Sequence, residues 1–144
     1  DQNGCVYKPH ILGVQVGQKI EILNSDGTLH NVHAMPKKKN NVAFNEAMPG
    51  ARKKVTKQFD EAEIMVRVKC DVHPWMGAFI GVLDHPFYSV TDEKGNFEIE
   101  NLPPGTYTVE AWHERLPAKT VTVTVQADGD ATADFVLKRP PKKK

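Results

Sequence analysis

The sequence predicts an all-β protein made of two consecutive antiparallel β-sandwich modules. Three observations carry this expectation. Apolar and polar residues alternate with a period of two through much of the chain. Turn residues (Gly, Pro, Asn, Asp) interrupt these runs at short intervals. No stretch has the pattern of a helix longer than two turns. The length, 144 residues, suits one ordinary domain or two small ones. With 40% hydrophobic and 26% charged residues, the chain has the composition of a soluble protein with material for a core.

The elements follow in order. HILGVQVGQKIEILNSD alternates around a Val16-Gly17-Gln18 turn and stops at Asn24-Ser25-Asp26-Gly27. Residues 33–59 are rich in lysine and asparagine, contain two Met-Pro pairs and read as loop with one strand around Val55. EIMVRVKC alternates again, which puts Ile64, Val66, Val68 and Cys70 on one face and Met65, Arg67 and Lys69 on the other. GAFIGVLDH is a short apolar run suited to a buried strand. After His85-Pro86 short strands follow one another, with turns at Asp92-Glu93-Lys94-Gly95, Pro103-Pro104-Gly105 and Asp128-Gly129. The expected division is residues 1–84 and 85–139, then a disordered basic tail at 140–144 with nothing to bury. Phe97, Tyr107 and Trp112 read as core residues of the second module.

The formal net charge of +1 argues against bulk electrostatic binding to nucleic acid or a membrane surface. Lysines cluster at 37–39, 52–57 and 142–144 and acids at 60–63 and 92–100, which read as solvated faces. No apolar run approaches a membrane span, and no signal peptide is visible. The opening DQNGCVYKPH is expected to belong to a mature or trimmed form whose targeting segment has been removed. Two cysteines, Cys5 and Cys70, are too few for a disulfide scaffold.

The densest chemistry lies in CDVHPWM, where Cys70, His73 and Met76 recur at intervals of three. Cys70 ends a strand on its core face, and the following turn can fold His73 and Met76 back toward the sulfur. A fourth ligand must come from elsewhere, and TLHNVHAM offers His30 and His33. Strand alternation puts these two on opposite faces and makes His33 the second choice. A thiolate and two imidazoles with a weak thioether form the ligand set of an electron-transfer copper site. Taken singly, Cys70 would be a buried structural thiol and Met76 a core filler. His10, His85 and His113 read as surface or packing histidines, and Cys5 with His10 as at most a weak second site. Met35, Met48 and Met65 do not cluster, which weakens a copper-shuttling role. Zinc also suits Cys and His donors.

These residues carry a resemblance. YKPHILGVQVGQKIEILNSD, LHNVH and CDVHPWM, in that order, resemble the cupredoxins of the amicyanin, pseudoazurin and plastocyanin type over residues 5–83. The resemblance implies a Greek-key β-sandwich with one mononuclear copper ion held by His30, Cys70, His73 and Met76. It also implies that the Asn31 backbone N–H tempers the thiolate while its side chain pins the ligand loop. Pro74 and Trp75 match the apolar surround of the partly exposed second histidine, where the electron leaves. Two features depart from the family pattern: Asp71 puts a carboxylate beside the cysteine, and the loop at 34–45 is long and basic. SVTDEKGNFEIENLPPGTYTVEAWHERL in turn resembles the carboxypeptidase regulatory-like domains over residues 86–138, an accessory transthyretin-like sandwich. That resemblance implies strands missing from its N-terminal side, with the first module inserted into the second.

The expected function is one-electron transfer, in the periplasm or outside the cell. The expected partners are redox proteins such as a cytochrome c or a quinol or periplasmic oxidoreductase, steered by lysines at 37–39 and 53–57. No enzymatic chemistry is expected, because no nucleophile with a positioned base, phosphate loop or paired-carboxylate site is visible. The rival readings are a copper-delivery protein and a structural surface module in which the metal only staples the fold.

Overall fold

The computed structural model describes residues 1–52 and 54–142; Lys53 of the second lysine cluster and Lys143 and Lys144 of the expected tail lie outside the described residues. Among the described residues the regular elements are all strands. They are β1 (Ile11–Gln15), β2 (Ile20–Leu23), β3 (His30–Met35), β4 (Phe44–Met48), β5 (Lys54–Lys57), β6 (Glu63–Lys69), β7 (Gly77–Leu83), β8 (Gly105–Ala111) and β9 (Lys119–Val125). The protein is therefore all-β, as its alternation predicts. It divides into two compact units, Asp1–Glu98 and Ile99–Lys144.

In the first unit, one sheet has the order β1-β7-β6-β3-β4, and β2 pairs with β5 in a second. Val14, Ile22, Val32, Val55, Val66 and Val82 come from both sheets and meet Phe59 in one buried cluster. Burying a side chain of this kind contributes roughly 1.5–3 kcal/mol, so the shared core holds the two sheets together. The Val16-Gly17-Gln18 turn is not a hairpin. β1 runs parallel to β7 while β2 runs antiparallel to β5, so the turn carries the chain from one sheet to the other. Gly17 takes φ +76 there and donates its N–H to Phe59 O at 2.8 Å, a conformation that favours glycine.

The alternation read for β6 holds at Val66, Val68 and Cys70, all buried, and fails at Ile64, which is 52% exposed. A register shift between Glu63 and Val66 is the cause. The irregularity turns Ile64 outward and brings Glu63 inward, where one carboxylate oxygen accepts the N–H groups of Lys37 and Lys38. A second difference is β4. The stretch at 33–59 holds two strands rather than one, because FNEAM pairs antiparallel with β3, with Phe44 and Met48 turned toward the core. The buried Asn41 fixes the chain just before β6, accepting the N–H groups of Asp60 and Glu61 and donating to Glu61 O, each at 2.9 Å.

In the second unit β8 and β9 pair antiparallel along their whole length. Tyr107, Val109 and Ala111 alternate with exposed Thr106, Thr108 and Glu110, and Val121, Val123 and Val125 do the same on β9. No described residue of this unit is fully buried. Tyr107 and Trp112 are accordingly half-buried rather than core residues, and Phe97, in the first unit, is 36% exposed. The turn expected at Asp92 forms: its carboxylate accepts the N–H groups of Lys94 and Asn96 at 2.9 Å, and Gly95 takes φ +84.

The packing of Tyr88 on β1 can be tested directly. A Cβ at Gly13 would stand 2.2 Å from Tyr88 Cε2. Gly13→Ala is expected to lower the urea midpoint, costing about 1–3 kcal/mol. In a Tyr88→Ala background the same change should cost much less, and equal costs in both backgrounds would contradict the contact.

Candidate metal centre

The upstream histidine is placed by the turn that precedes β3. Asn24 is buried, and its side chain donates to Thr28 O at 3.0 Å and Met48 O at 2.7 Å and accepts the Asp26 N–H at 2.9 Å. These bonds shape the loop between β2 and β3 and deliver His30 as the first residue of β3, opposite Met48 and 0% exposed. Cys70 follows the last residue of β6 and stays on its buried face, 3% exposed.

Residues 70–76 then close on themselves. Met76 N–H donates to His73 O at 3.0 Å, and Cys70 N–H donates to Met76 O at 3.2 Å. This brings His73 over Cys70 and leaves Met76 buried, 2% exposed. The loop is also fastened to β3. Asn31 Oδ1 accepts the Asp71 N–H at 2.6 Å, while Asn31 Nδ2 donates to Asp71 Oδ2 at 2.8 Å and to Asn45 Oδ1 at 2.8 Å. Asn45 on β4 donates to the same Asp71 oxygen at 3.0 Å. Tyr7 caps the arrangement by donating its OH to Asn31 O at 2.5 Å. Burial, reinforced by the charges of Cys70 and Asp71, pushes its phenol above the usual range and keeps it a donor.

The result is a convergence of three donor atoms. His30 Nδ1 lies 3.1 Å from His73 Nδ1, His73 Nδ1 lies 3.7 Å from Cys70 Sγ, and ligand atoms of all three residues fall within 4.8 Å of one another. On its far side, His30 Nε2 meets Asp26 Oδ2 at 2.7 Å. The backbone N–H groups of Cys5 and Gly4, then the His30 ring, hold the Asp26 carboxyl down at about 2. Asp26 is therefore ionised at neutral pH and can only accept, so His30 Nε2 carries the proton of this contact, and Nδ1 is the ring atom turned toward His73 and Cys70.

The sequence-predicted residues can be placed one by one. His30, Cys70 and His73 come together, and Met76 is buried at the end of their loop. His33 turns the other way, its ring facing Asp71 at 3.3 Å. His10 meets Gly77 O at 2.9 Å, while His85 and His113 accept the N–H groups of Phe87 and Arg115. Cys5 groups with Asp26 and His30. Sequence reasoning missed Asp26 and Asn45. In the sequence Asp26 stands out only as turn punctuation; a carboxylate four residues before a candidate ligand is the available signal.

A family model for the carboxypeptidase regulatory-like domain matches residues 65–138, more than half of the chain. The chain belongs to the carboxypeptidase regulatory-like domain family. The match starts within β6, so it takes in the loop at 70–76 as well as β8 and β9. Among solved structures, this regulatory-like chain is similar to the Cu(I) form of a methionine-to-alanine mutant of amicyanin, at 24% identity over 56% of this chain and 76% of that one, with a TM-score of 0.49. It is similar to a reduced tryptophan-to-tyrosine mutant of amicyanin at 25% identity, covering 56% and 75%, with a TM-score of 0.49. A purple cupredoxin from Nitrosopumilus maritimus gives 24% identity, 57% and 87% coverage and a TM-score of 0.45. A comparison with curated proteins finds no match. The resemblance to the carboxypeptidase regulatory-like domains is met by the family model over residues 65–138.

The donor set of this family member fits one soft-to-borderline ion. Bonds of about 2.0–2.1 Å to nitrogen and about 2.3 Å to sulfur, the lengths usual for zinc, span donors separated by roughly the distances found between His30, His73 and Cys70. Thiolate with imidazole suits copper or zinc and disfavours the hard cations.

Asp71 gives a pH dependence with a defined sign. Hydrogen bonds from Asn45 first, then from His33, Asn31 and Lys69, lower its carboxyl from 3.8 to about 2. A lowered folded-state value stabilises the protein above the unfolded value, and this contribution disappears as pH falls through the folded one. The stability advantage of the metal-free wild type over Asp71→Asn is expected to shrink between pH 3.8 and about 2. Urea midpoints across that range test it, and a constant difference would count against the network.

Proposed function

We propose that the chain is a one-electron carrier built around one mononuclear type 1 copper ion held by His30, Cys70, His73 and Met76. The observation that carries this reading is the convergence of Cys70 Sγ and the two Nδ1 atoms, with Met76 buried at the end of the same loop. Copper, when bound, supplies the one-electron redox couple. The thiolate and thioether favour Cu(I), and the two imidazoles keep Cu(II) acceptable. The loop hydrogen bonds and the Asn31–Asp71 tie hold the four residues still, which keeps the reorganisation on electron transfer small. Asp71, ionised near the thiolate, favours the Cu(II) state.

His73 is the half-buried ligand, and its surroundings suit electron exit. Trp75 is 65% exposed with its ring centroid 5.1 Å from that of His73, and Val72 is exposed beside it. This apolar rim would meet a redox protein such as a cytochrome c or a quinol or periplasmic oxidoreductase. Lys54 and Lys57 are paired with Glu21 at 2.7 Å and Glu46 at 2.6 Å, so the lysines at 37–39 would carry more of any steering of acidic partners. The reading places the chain in the periplasm or outside the cell, where proteins of the type it resembles work. Among the described residues, no helix is long and apolar enough to cross a membrane.

The absorption spectrum of the Cu(II)-loaded protein tests the proposal. An intense thiolate-to-copper band in the visible is expected, lost in Cys70→Ser and kept in Met76→Leu. A colourless protein that holds only Cu(I) and releases it rapidly would favour delivery. Unchanged stability and partner binding in Cys70→Ser would favour a structural module.

A further inference from the structure

Asp26 stands outside the four proposed ligands, yet the N-terminal loop is arranged around it. Gly4 and Cys5 take φ +69 and +56, two successive left-handed residues whose N–H groups converge on one side. The Gly4 N–H reaches Asp26 Oδ1 at 2.9 Å, and the Cys5 N–H reaches Oδ2 at 3.0 Å. A non-glycine residue adopts this backbone conformation uncommonly, and Cys5 does so where its N–H meets a carboxylate. The Cys5 carbonyl accepts Trp75 Nε1–H at 2.8 Å, which connects the same turn to the ligand loop.

The loop is itself anchored. Gln2 is fully buried; its backbone N–H donates to Leu23 O at 3.0 Å, and its carbonyl accepts the Ser25 N–H at 2.9 Å. Asn24 holds the Asp26 backbone from the other side. With the peptide fixed and two N–H donors placed, the carboxylate presents Oδ2 to His30 Nε2 at 2.7 Å.

We propose that Asp26 is the positioning residue of the metal centre: gripped by the Gly4 and Cys5 N–H groups, it takes the His30 Nε2–H and fixes a bare Nδ1 toward Cys70 and His73. This rests on the reading that His30, Cys70 and His73 hold a metal ion. Without the carboxylate, the ring loses the partner that selects its tautomer and orientation. An anionic acceptor also makes the imidazole a stronger donor, which favours Cu(II) over Cu(I). Ligand atoms of Cys5, Asp26 and His30 lie within 4.8 Å as well, but the two Asp26 oxygens already accept three N–H groups, so the cluster works as a clamp rather than a second ion site.

Ring-nitrogen NMR of the metal-free full chain tests the tautomer: His30 is expected to carry its proton on Nε2 in the wild type and to lose that preference in Asp26→Ala. In the copper-loaded protein, Asp26→Ala should weaken Cu(II) binding about 10- to 100-fold and Cu(I) binding less. The potential then rises, by about 59 mV for each tenfold difference, and Asp26→Glu recovers part of the change. Circular dichroism checks that the variants fold, and the isosteric Asp26→Asn replaces Asp26→Ala if the latter does not. A wild-type Nδ1–H tautomer would overturn the proposal. So would equal losses of Cu(II) and Cu(I) affinity at an unchanged potential, or two copper ions per chain with one lost in Cys5→Ser. A wild type that binds no copper while His30 keeps its Nε2–H would defeat the copper reading and leave the Asp26 assignment standing.

Discussion

The paired hydrogen bonds between Asn31 and Asp71 are the constraint on which the rest of the site depends. His30 belongs to a strand and Cys70, His73 and Met76 to a loop forty residues further on, so their relative placement needs a direct tie. The Asn31 side chain supplies it by accepting from the Asp71 backbone and donating to the Asp71 carboxylate. Asn45 and Tyr7 add bonds to the same pair from β4 and the N-terminal loop. Because Asn31 is the immediate neighbour of His30, any movement of the ligand loop must also move the strand that carries the other imidazole. Networks of this kind specify one arrangement when every member is satisfied.

The two sides of the centre are held differently. On the sulfur side the restraint is local, a loop closed by its own backbone bonds between Cys70, His73 and Met76. On the His30 side it is long-range, running from the anchored N-terminal loop through Asp26 to Nε2. Trp75 connects the two, since its indole N–H ends on the Cys5 carbonyl while its ring borders His73. The residue that shapes the exposed rim is thus also part of the scaffold.

Much of this was legible in the sequence, and the failures have physical causes. Alternation placed Val66, Val68 and Cys70 correctly because β6 is regular there. It misplaced Ile64 because an irregularity in pairing shifts the faces, and no period-two rule contains that. β4 is hard to read because FNEAM, an edge strand, carries polar residues that serve other contacts instead of the core, Asn45 bonding to Asp71 and Glu46 pairing with Lys57 and Arg52. The separation of His30 from His33 followed from strand geometry alone. Asp26 is only partly legible: its place four residues before His30 is visible, but its grip comes from the left-handed backbone of Gly4 and Cys5, which sequence pattern does not reveal. In the second unit the alternation of β8 and β9 is readable, but burial depends on what packs against them, and Tyr107 and Trp112 are half-buried where the sequence predicts core.

The central claim is that one copper ion sits between Cys70, His30 and His73, and X-ray absorption at the copper edge of the loaded protein tests it most directly. The account predicts one short copper–sulfur bond and two imidazole nitrogens, with the thioether as a weak, longer contact, and the short sulfur bond lost in Cys70→Ser. A shell of nitrogen and oxygen donors alone, unchanged in Cys70→Ser, would contradict it.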